Sequence, residues 1–166
     1  VAQGASVHAA SGADGIMAAA EQAARSLPHR SDFRGFQRAI AGRGERRMAS
    51  GALRRLALGY GMTPGHKGLT PAMEKTSSAF HIGALRGLFD TDGSVQGDQR
   101  KGVSVRLAQS SRATLEAVQR MLLRLGIVST MYSRRPAGVR ELPDGRGGSK
   151  EYPVREQHEL LISRDN

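Results

Sequence analysis

The residues of this sequence most suited to chemistry are two carboxylates at the end of a helical pattern. Asp90 and Asp92 stand in the run D-T-D-G, which closes at Gly93. The apolar residues of 85–89 repeat at the i, i+3, i+4 spacing of a helix. A helix that ends here has its negative dipole end beside both carboxylates, at a cost of about 0.3–1 kcal/mol each. A divalent metal ion at this turn would offset that cost.

Two other interpretations of D-T-D-G have to be considered. A calcium loop of the D-x-D-x-D-G type would need an acid at position 88, where the chain has Leu88. That interpretation therefore fails. An ordinary amphipathic helix that ends in an acidic turn remains open on these four residues alone.

The helix that positions the carboxylates is predicted to run from Ser78 to Asp90. Gly93 is its expected left-handed stop. Gly83 and Gly87 are four residues apart, so they share one face and leave it without side chains. Such a face allows a second helix to pack closely against this one.

An antiparallel ribbon is predicted after the helix. Apolar side chains alternate with polar ones over 103–107, which favours a strand with one apolar and one basic face. Such a ribbon fits the major groove of DNA, where Gln96, Ser104 and Arg106 would contact base edges. Gln109 ends the strand, and a helix cap is one role open to it.

The remaining elements follow from periodicity and composition. We expect a helix over 113–126, a strand over 127–133, and a last strand, His158–Ser163, that pairs with it. Between these two strands, 134–150 is rich in glycine and proline and is predicted to be a long flexible connection. Its Arg134, Arg135 and Arg140 are candidate DNA contacts, although a plain insertion is the alternative.

The start of the chain resembles this later region at a constant offset of 98. A strand-like segment at 6–10 and a helical pattern at 16–27 match 104–108 and 114–125. Chance similarity of two strand–helix units is the alternative. A true repeat would place the counterpart of Asp92 before Val1, so the chain would be the later part of a protein with two motifs.

The charge of the chain favours an anionic partner. Its 25 Lys and Arg residues outnumber 15 Asp and Glu, for a net charge of +10, and nucleic acid is the commonest partner of such a domain. Residues 29–58 hold eight arginines and two acids, which favours a phosphate-facing surface over a merely solvated one. Cysteine is absent, which excludes disulfides and thiolate zinc sites. Without a membrane span or targeting signal, we expect a location in the bacterial cytoplasm or with DNA, and no membrane partner.

Residues 85–93, L-R-G-L-F-D-T-D-G, resemble the LAGLIDADG motif of homing endonucleases, with six of nine letters identical. The resemblance implies an α+β fold in which two halves are related by a pseudo-twofold axis at the motif helices. Their antiparallel sheets would form a DNA-binding saddle. On this basis 1–58 is the remainder of a first half, 59–78 a linker, and 79–166 the second half.

The resemblance also implies a function and a site. The family is one of site-specific endonucleases, often carried in inteins, that make double-strand breaks at long DNA targets. Mg²⁺ is the implied cofactor, with Mn²⁺ as a substitute, held by Asp92 and Gly93. Lys67 would lie near the scissile phosphate and Gln109 would hold water near the metal. The second half would come from an upstream segment of the same protein or from a homodimer mate.

Two further functions remain open. LAGLIDADG folds also occur in DNA- and RNA-binding regulators and maturases that do not cleave. The chain could also be an intein fragment whose main role is protein splicing, although it has no cysteine and ends in R-D-N rather than His-Asn. Residues 27–33 and the motif region resemble inteins of bacterial ribonucleotide reductases.

Overall fold

The computed structural model describes residues 5–7, 15–38, 46–66, 68–98, 100, 102–145 and 147–163. They form two compact units, with the boundary between Lys67 and Gly68. In the described ranges no helix combines the length and the apolar character needed to cross a membrane. The elements are β1 (Ala5–Val7), α1 (Ile16–Arg25), β2 (Gln37–Arg38), β3 (Arg46–Met48), α2 (Gly51–Gly59), α3 (Pro71–Glu74), α4 (Ser78–Asp92), β4 (Gly93–Asp98), β5 (Gly102–Gln109), α5 (Arg112–Arg124), β6 (Thr130–Arg135), β7 (Gly138–Pro143), β8 (Ser149–Val154) and β9 (Gln157–Ile162).

Unit 1 is a small antiparallel sheet with two helices. Its strand order is β1-β3-β2, and its buried apolar residues include Met17, Ala24 and Met48. Glu21 of α1 accepts the Phe36 backbone N–H at 3.1 Å and pairs with Arg25. The Phe36 hydrogen bond, and after it Arg25, lowers the pKa of Glu21. This carboxylate therefore ties α1 to the segment that leads into β2.

Unit 2 is a four-stranded antiparallel sheet with helices packed on one face. The strand order is β4-β5-β9-β6, and α4 and α5 pack against the sheet and each other. We call this side the helix face; its core residues are fully buried and include Leu107, Leu115, Val118, Met121 and Leu160. The predicted helix α5 is confirmed. The predicted pairing of the last strand with the strand expected over 127–133 is also confirmed, as β9 with β6.

The short helix α3 belongs to unit 2. Glu74 at its end accepts two hydrogen bonds from Arg120 of α5, at 2.6 and 2.9 Å. This interaction lowers the pKa of Glu74 and raises that of Arg120. The segment 68–78, predicted as part of a linker, is thus attached to the second unit.

The two units repeat one topology. In unit 1 the order along the chain is β1, α1, β2, β3, and in unit 2 it is β5, α5, β6, β9. The last strand of each set lies between the other two, all antiparallel. Shifted by 98, β1 falls within β5 and α1 within α5. The internal repeat predicted from the sequence is confirmed at the level of elements.

The end of α4 differs from the prediction. The helix continues to Asp92 instead of ending at Asp90, and Thr91 donates to the Gly87 and Leu88 carbonyls. Gly93 has φ −77° and ψ 159°, so the predicted left-handed stop is wrong. A Cβ at Gly93 would collide with the Phe89 carbonyl oxygen. Glycine is needed here for a close backbone approach as the chain turns directly into β4.

The prediction of a flexible connection over 134–150 is also wrong. This region contains the end of β6, all of β7 and the start of β8. The strands β7 and β8 pair with each other in regular register as a separate hairpin. Gly145 and Gly147 have positive φ, and Asp144 and Gly148 bond across the turn. Gly145 and Gly147 adopt the positive φ that the turn requires, and the residues on either side of the turn form the two strands.

The hairpin has two chemically different faces. Arg140 pairs in register with Tyr152, and on the opposite face Glu141 pairs with Glu151. Residues directly opposite on antiparallel strands point to the same side. One face is therefore basic and aromatic, and the other is acidic.

Candidate functional site

The fold of unit 2 brings Asp92 and Gln109 into contact. Asp92 is the last residue of α4, and Gly93 pairs in register with Leu107, two residues before Gln109. The Gln109 amide Nε2 donates to Asp92 Oδ2 at 2.8 Å. The cap of α5 is Ser111, whose hydroxyl accepts the Thr114 N–H. Gln109 is thus not a helix cap, and its side chain holds the motif carboxylate.

Asp92 lines a cavity at the end of the sheet. The cavity, of about 450 Å³, is formed where β5 ends, β9 begins and β6 ends. It contains two carboxylates, two guanidiniums and several neutral polar side chains. Its lining residues are Asp92, Ala108, Gln109, Ser110, Arg135, Val154, Arg155, Glu156 and Gln157. Arg155, Glu156 and Gln157 were not identified from the sequence, because nothing in their spacing relates them to Asp92.

The side of the unit 2 sheet opposite the helices, which we call the open face, carries the predicted base-contacting residues. The register pairs Gln96 with Ser104, and alternation puts Arg106 on the same side as Ser104. Ser104 donates to the Gln96 carbonyl at 3.3 Å, and Arg106 Nε donates to the Ser104 hydroxyl at 3.0 Å. Ser104 and Arg106 are therefore already engaged within the sheet.

A carboxylate that the sequence analysis missed lies between two of the predicted arginines. Glu159 of β9 is buried and accepts from Arg106 at 3.3 Å and from Arg134 Nε at 2.6 Å. Arg134 also lies over the Tyr132 ring, 5.8 Å from its centroid. Both guanidiniums are held by Glu159. The signal in the sequence was weak, since Glu159 is one charged residue in an otherwise apolar strand.

One predicted residue lies outside the four-stranded sheet. Arg140 is exposed on the β7–β8 hairpin. Lys67 falls outside the described residues, so its predicted role near the scissile phosphate stays a prediction. Asp90 pairs with Arg86 at 3.7 Å on the surface of α4.

Comparison with known proteins agrees with this geometry. The model of a family described as "LAGLIDADG-like domain" matches residues 79–166, the span that holds α4, Asp92 and Gln109. The chain belongs to the LAGLIDADG family.

Solved LAGLIDADG structures have the same fold. One variant of the homing endonuclease I-DmoI, in complex with its target DNA in the presence of Mg, is 18% identical and has a TM-score of 0.57, covering 95% of this chain and 71% of that one. A second I-DmoI variant, in complex with nicked target DNA in the presence of Mn, is 16% identical with a TM-score of 0.55, covering 95% and 70%. At these identities the likeness shows the fold, an α+β architecture with antiparallel sheets, as predicted.

Two curated relatives are ribonucleotide reductase subunits. The chain is 36% identical over 96 residues to the ribonucleoside-diphosphate reductase NrdEB subunit alpha of Bacillus subtilis strain 168. The same values hold for the subunit of Bacillus phage SPbeta. The match spans 57% of this chain and 8% of each relative. This agrees with the resemblance to ribonucleotide reductase inteins.

Asp92 and Gly93 at the end of α4 can bind a divalent metal only if another molecule provides further ligands. An ionised carboxylate has about four acceptor sites, and Gln109 takes one of those on Asp92. Mg²⁺ is commonly bound by one or two carboxylates, with water and substrate phosphate completing the shell. Among the residues described, no three His, Cys, Asp or Glu side chains gather as a metal site. Asp92 and Gly93 can thus supply part of a metal shell, with DNA phosphate supplying more.

Proposed function

We propose that this chain is the second half of an intein-borne homing endonuclease that makes double-strand breaks in DNA. The contact between Asp92 and Gln109 carries the proposal. It fixes the last carboxylate of the LAGLIDADG helix in a cavity that also holds Arg135 and Arg155. A carboxylate for the metal and cations for the phosphate are what phosphodiester hydrolysis requires.

The residues of this chain have separate tasks in the reaction. Gln109 donates its amide hydrogen to Asp92 and keeps that carboxylate in one orientation. Asp92 and Gly93 would hold Mg²⁺, which would supply positive charge against the phosphate and lower the pKa of water. A water oxygen attacks phosphorus in line as the bond to the 3′ oxygen breaks, which leaves a 5′-phosphate and a 3′-hydroxyl. Lys67, as the resemblance implies, stabilises the charge that develops on the phosphate.

The open face of the unit 2 sheet is the proposed DNA-binding surface. Gln96, Ser104 and Arg106 share this face, and an antiparallel ribbon fits the major groove. The net charge of +10 favours association with the polyanion. Arg134 and Arg140 add cationic contacts beyond β5.

The partner of this half is a second LAGLIDADG half, from upstream in the same protein or from a second copy. Support comes from α4. A Cβ at Gly83 or Gly87 would meet nothing within 4 Å in the described part of the chain, and Ile82 beside them is 55% exposed. This face suits close helix packing. Such packing would bring a second motif carboxylate to the metal beside Asp92.

The metal and the host gene are proposed from the relatives. The I-DmoI structures named above were obtained with Mg or Mn and target DNA, so Mg²⁺ with Mn²⁺ as a substitute is proposed here. The similarity to ribonucleotide reductase subunits favours an intein in such an enzyme. The target would then be the reductase gene that lacks this insertion.

The experiment uses supercoiled plasmid that carries a ribonucleotide reductase gene without the codons of the matched region. The chain, together with the second LAGLIDADG half proposed above, is incubated with this plasmid and Mg²⁺, and a second plasmid with the codons retained serves as the control. A linear product from the first plasmid alone, abolished by EDTA, is expected. A mobility shift without any linear product would instead show a binding module that does not cleave.

A further inference from the structure

Arg135 reaches the open face because β6 contains a bulge. Ser133 pairs with His158 and Arg135 pairs with Gln157. Between these two pairs β6 has one residue more than β9. Arg134 is the extra residue. Regular alternation would send Arg135 to the same side as Ser133, the helix face. The bulge turns Arg135 to the side of Gln157 and Glu159, and bulges often redirect side chains in this way next to active sites.

Among the described residues, no carboxylate lies within ion-pair distance of Arg135. Arg106 and Arg134 both donate hydrogen bonds to Glu159, so the positive charges of these two arginines have a carboxylate partner. Arg135 Nε is shielded from solvent and lacks a hydrogen-bond partner among the described residues. A shielded guanidinium N–H without an acceptor is costly. The described residues thus leave this N–H without an acceptor, and an oxygen atom of a bound anion can supply one.

Arg135 lines the same cavity as Asp92 and Gln109. Phosphate is the acceptor that suits this place, since guanidinium binds phosphate oxygens through two parallel hydrogen bonds. Glu156 lines the cavity too, and its Oε1 lies 3.5 Å from His158 Nε2. Its carboxylate is directed toward that histidine rather than toward Arg135.

From this arrangement we infer that Arg135 is a catalytic residue that binds the scissile phosphate beside Asp92. The inference rests on the endonuclease function proposed above. Arg135 donates two hydrogen bonds to non-bridging oxygens and keeps its own protons throughout. As the water oxygen bonds to phosphorus and the bond to the 3′ oxygen breaks, the water proton passes to solvent and the 3′ oxygen takes one from solvent. Arg135 offsets the negative charge that gathers on the phosphoryl oxygens.

The first test measures single-turnover cleavage of the plasmid by Arg135→Gln, Arg135→Lys and a matched control, Arg112→Gln, at an exposed arginine of α5 that pairs with Glu116. We expect Arg135→Gln to lose about 100-fold or more in rate, with a much smaller change in Kd for DNA. Arg135→Lys should recover part of the rate because it restores the charge, and Arg112→Gln should cleave at the wild-type rate. Cleavage by Arg135→Gln at the rate of Arg112→Gln would overturn the inference and leave the endonuclease function standing.

A second test does not depend on cleavage. In chain labelled with ¹⁵N-arginine, the Nε–H signal of Arg135 is identified by its loss in folded Arg135→Lys, and a short DNA duplex is added. We expect this signal to shift more than those of Arg106 and Arg134, which already bond to Glu159. If the duplex binds and the Arg135 signal stays in place, the inference is wrong. If the chain neither binds nor cleaves DNA, the proposed function fails and the inference fails with it.

Discussion

Glu159→Gln should make the protein less stable and at the same time a stronger binder of nonspecific DNA. The substitution keeps the shape of the side chain and removes the charge that holds Arg106 and Arg134. Breaking a buried pair by removal of one partner costs about 3–5 kcal/mol. Arg134 is 49% exposed and Arg106 22%, so both regain some hydration. We therefore expect a loss of about 2 kcal/mol in the free energy of unfolding.

The gain in DNA binding follows from the same two arginines. Each guanidinium released from Glu159 becomes available to a phosphate, and each phosphate contact contributes about −0.9 to the slope of log K against log salt. Glu159→Gln should thus steepen this slope by about one to two units. Urea unfolding measures the first effect, and anisotropy of a labelled duplex across salt concentrations measures the second.

Glu116→Gln is the matched control for Glu159→Gln. Glu116 pairs with Arg112 one turn away on the surface of α5, a type of pair worth about 0.3–0.5 kcal/mol. This control should change stability little and leave the salt slope unaltered. Equal behaviour of the two variants in both assays would refute the reasoning, because it would mean that Glu159 does not restrain the arginines.

Three further outcomes are expected. Asp92→Asn should abolish cleavage and leave DNA binding largely intact in a gel-shift assay; retained cutting would remove Asp92 from the metal role. Lys67→Ala should slow single-turnover cleavage without a proportionate loss of affinity, and an unchanged rate would make it an ordinary surface lysine. The Arg120 contact lowers the pKa of Glu74 below its ordinary 4.5, so its stabilisation is complete above pH 4.5 and is lost as pH falls through the lowered value. The difference in urea midpoint between wild type and Glu74→Gln should accordingly shrink below pH 4.5, and a constant difference would contradict this.

Local periodicity was enough to predict the elements that position the site. The helical spacing around Leu85 and the pattern of α5 were strong, and each of these helices formed. Gln109 was predicted to hold water near the metal, and that role stays a prediction, although its side chain bonds to Asp92. The helix predictions succeeded because each depends on residues that are close along the chain.

The remaining features depend on contacts between distant residues. Glu159 bonds to Arg106, 53 positions away, and only the register of β5 against β9 brings them together. The bulge that turns Arg135 likewise depends on pairing with β9. Alternation in one strand predicts the side of a residue but not its neighbour on the next strand. The sequence therefore could not show which arginines bond to Glu159 and which do not.

The β7–β8 hairpin is a region of unit 2 whose length can change without altering the pairing of the four-stranded sheet. It is inserted between β6 and β9, which pair directly with each other, and it makes its own separate sheet. Unit 1 has the same strand order, and there fewer residues separate β2 from β3 along the sequence than separate β6 from β9. Residues can thus be added to or removed from the hairpin while the core that positions Asp92 keeps its register. In the endonuclease proposed above, a change in this hairpin would alter DNA contacts such as that of Arg140 without altering the site around Asp92.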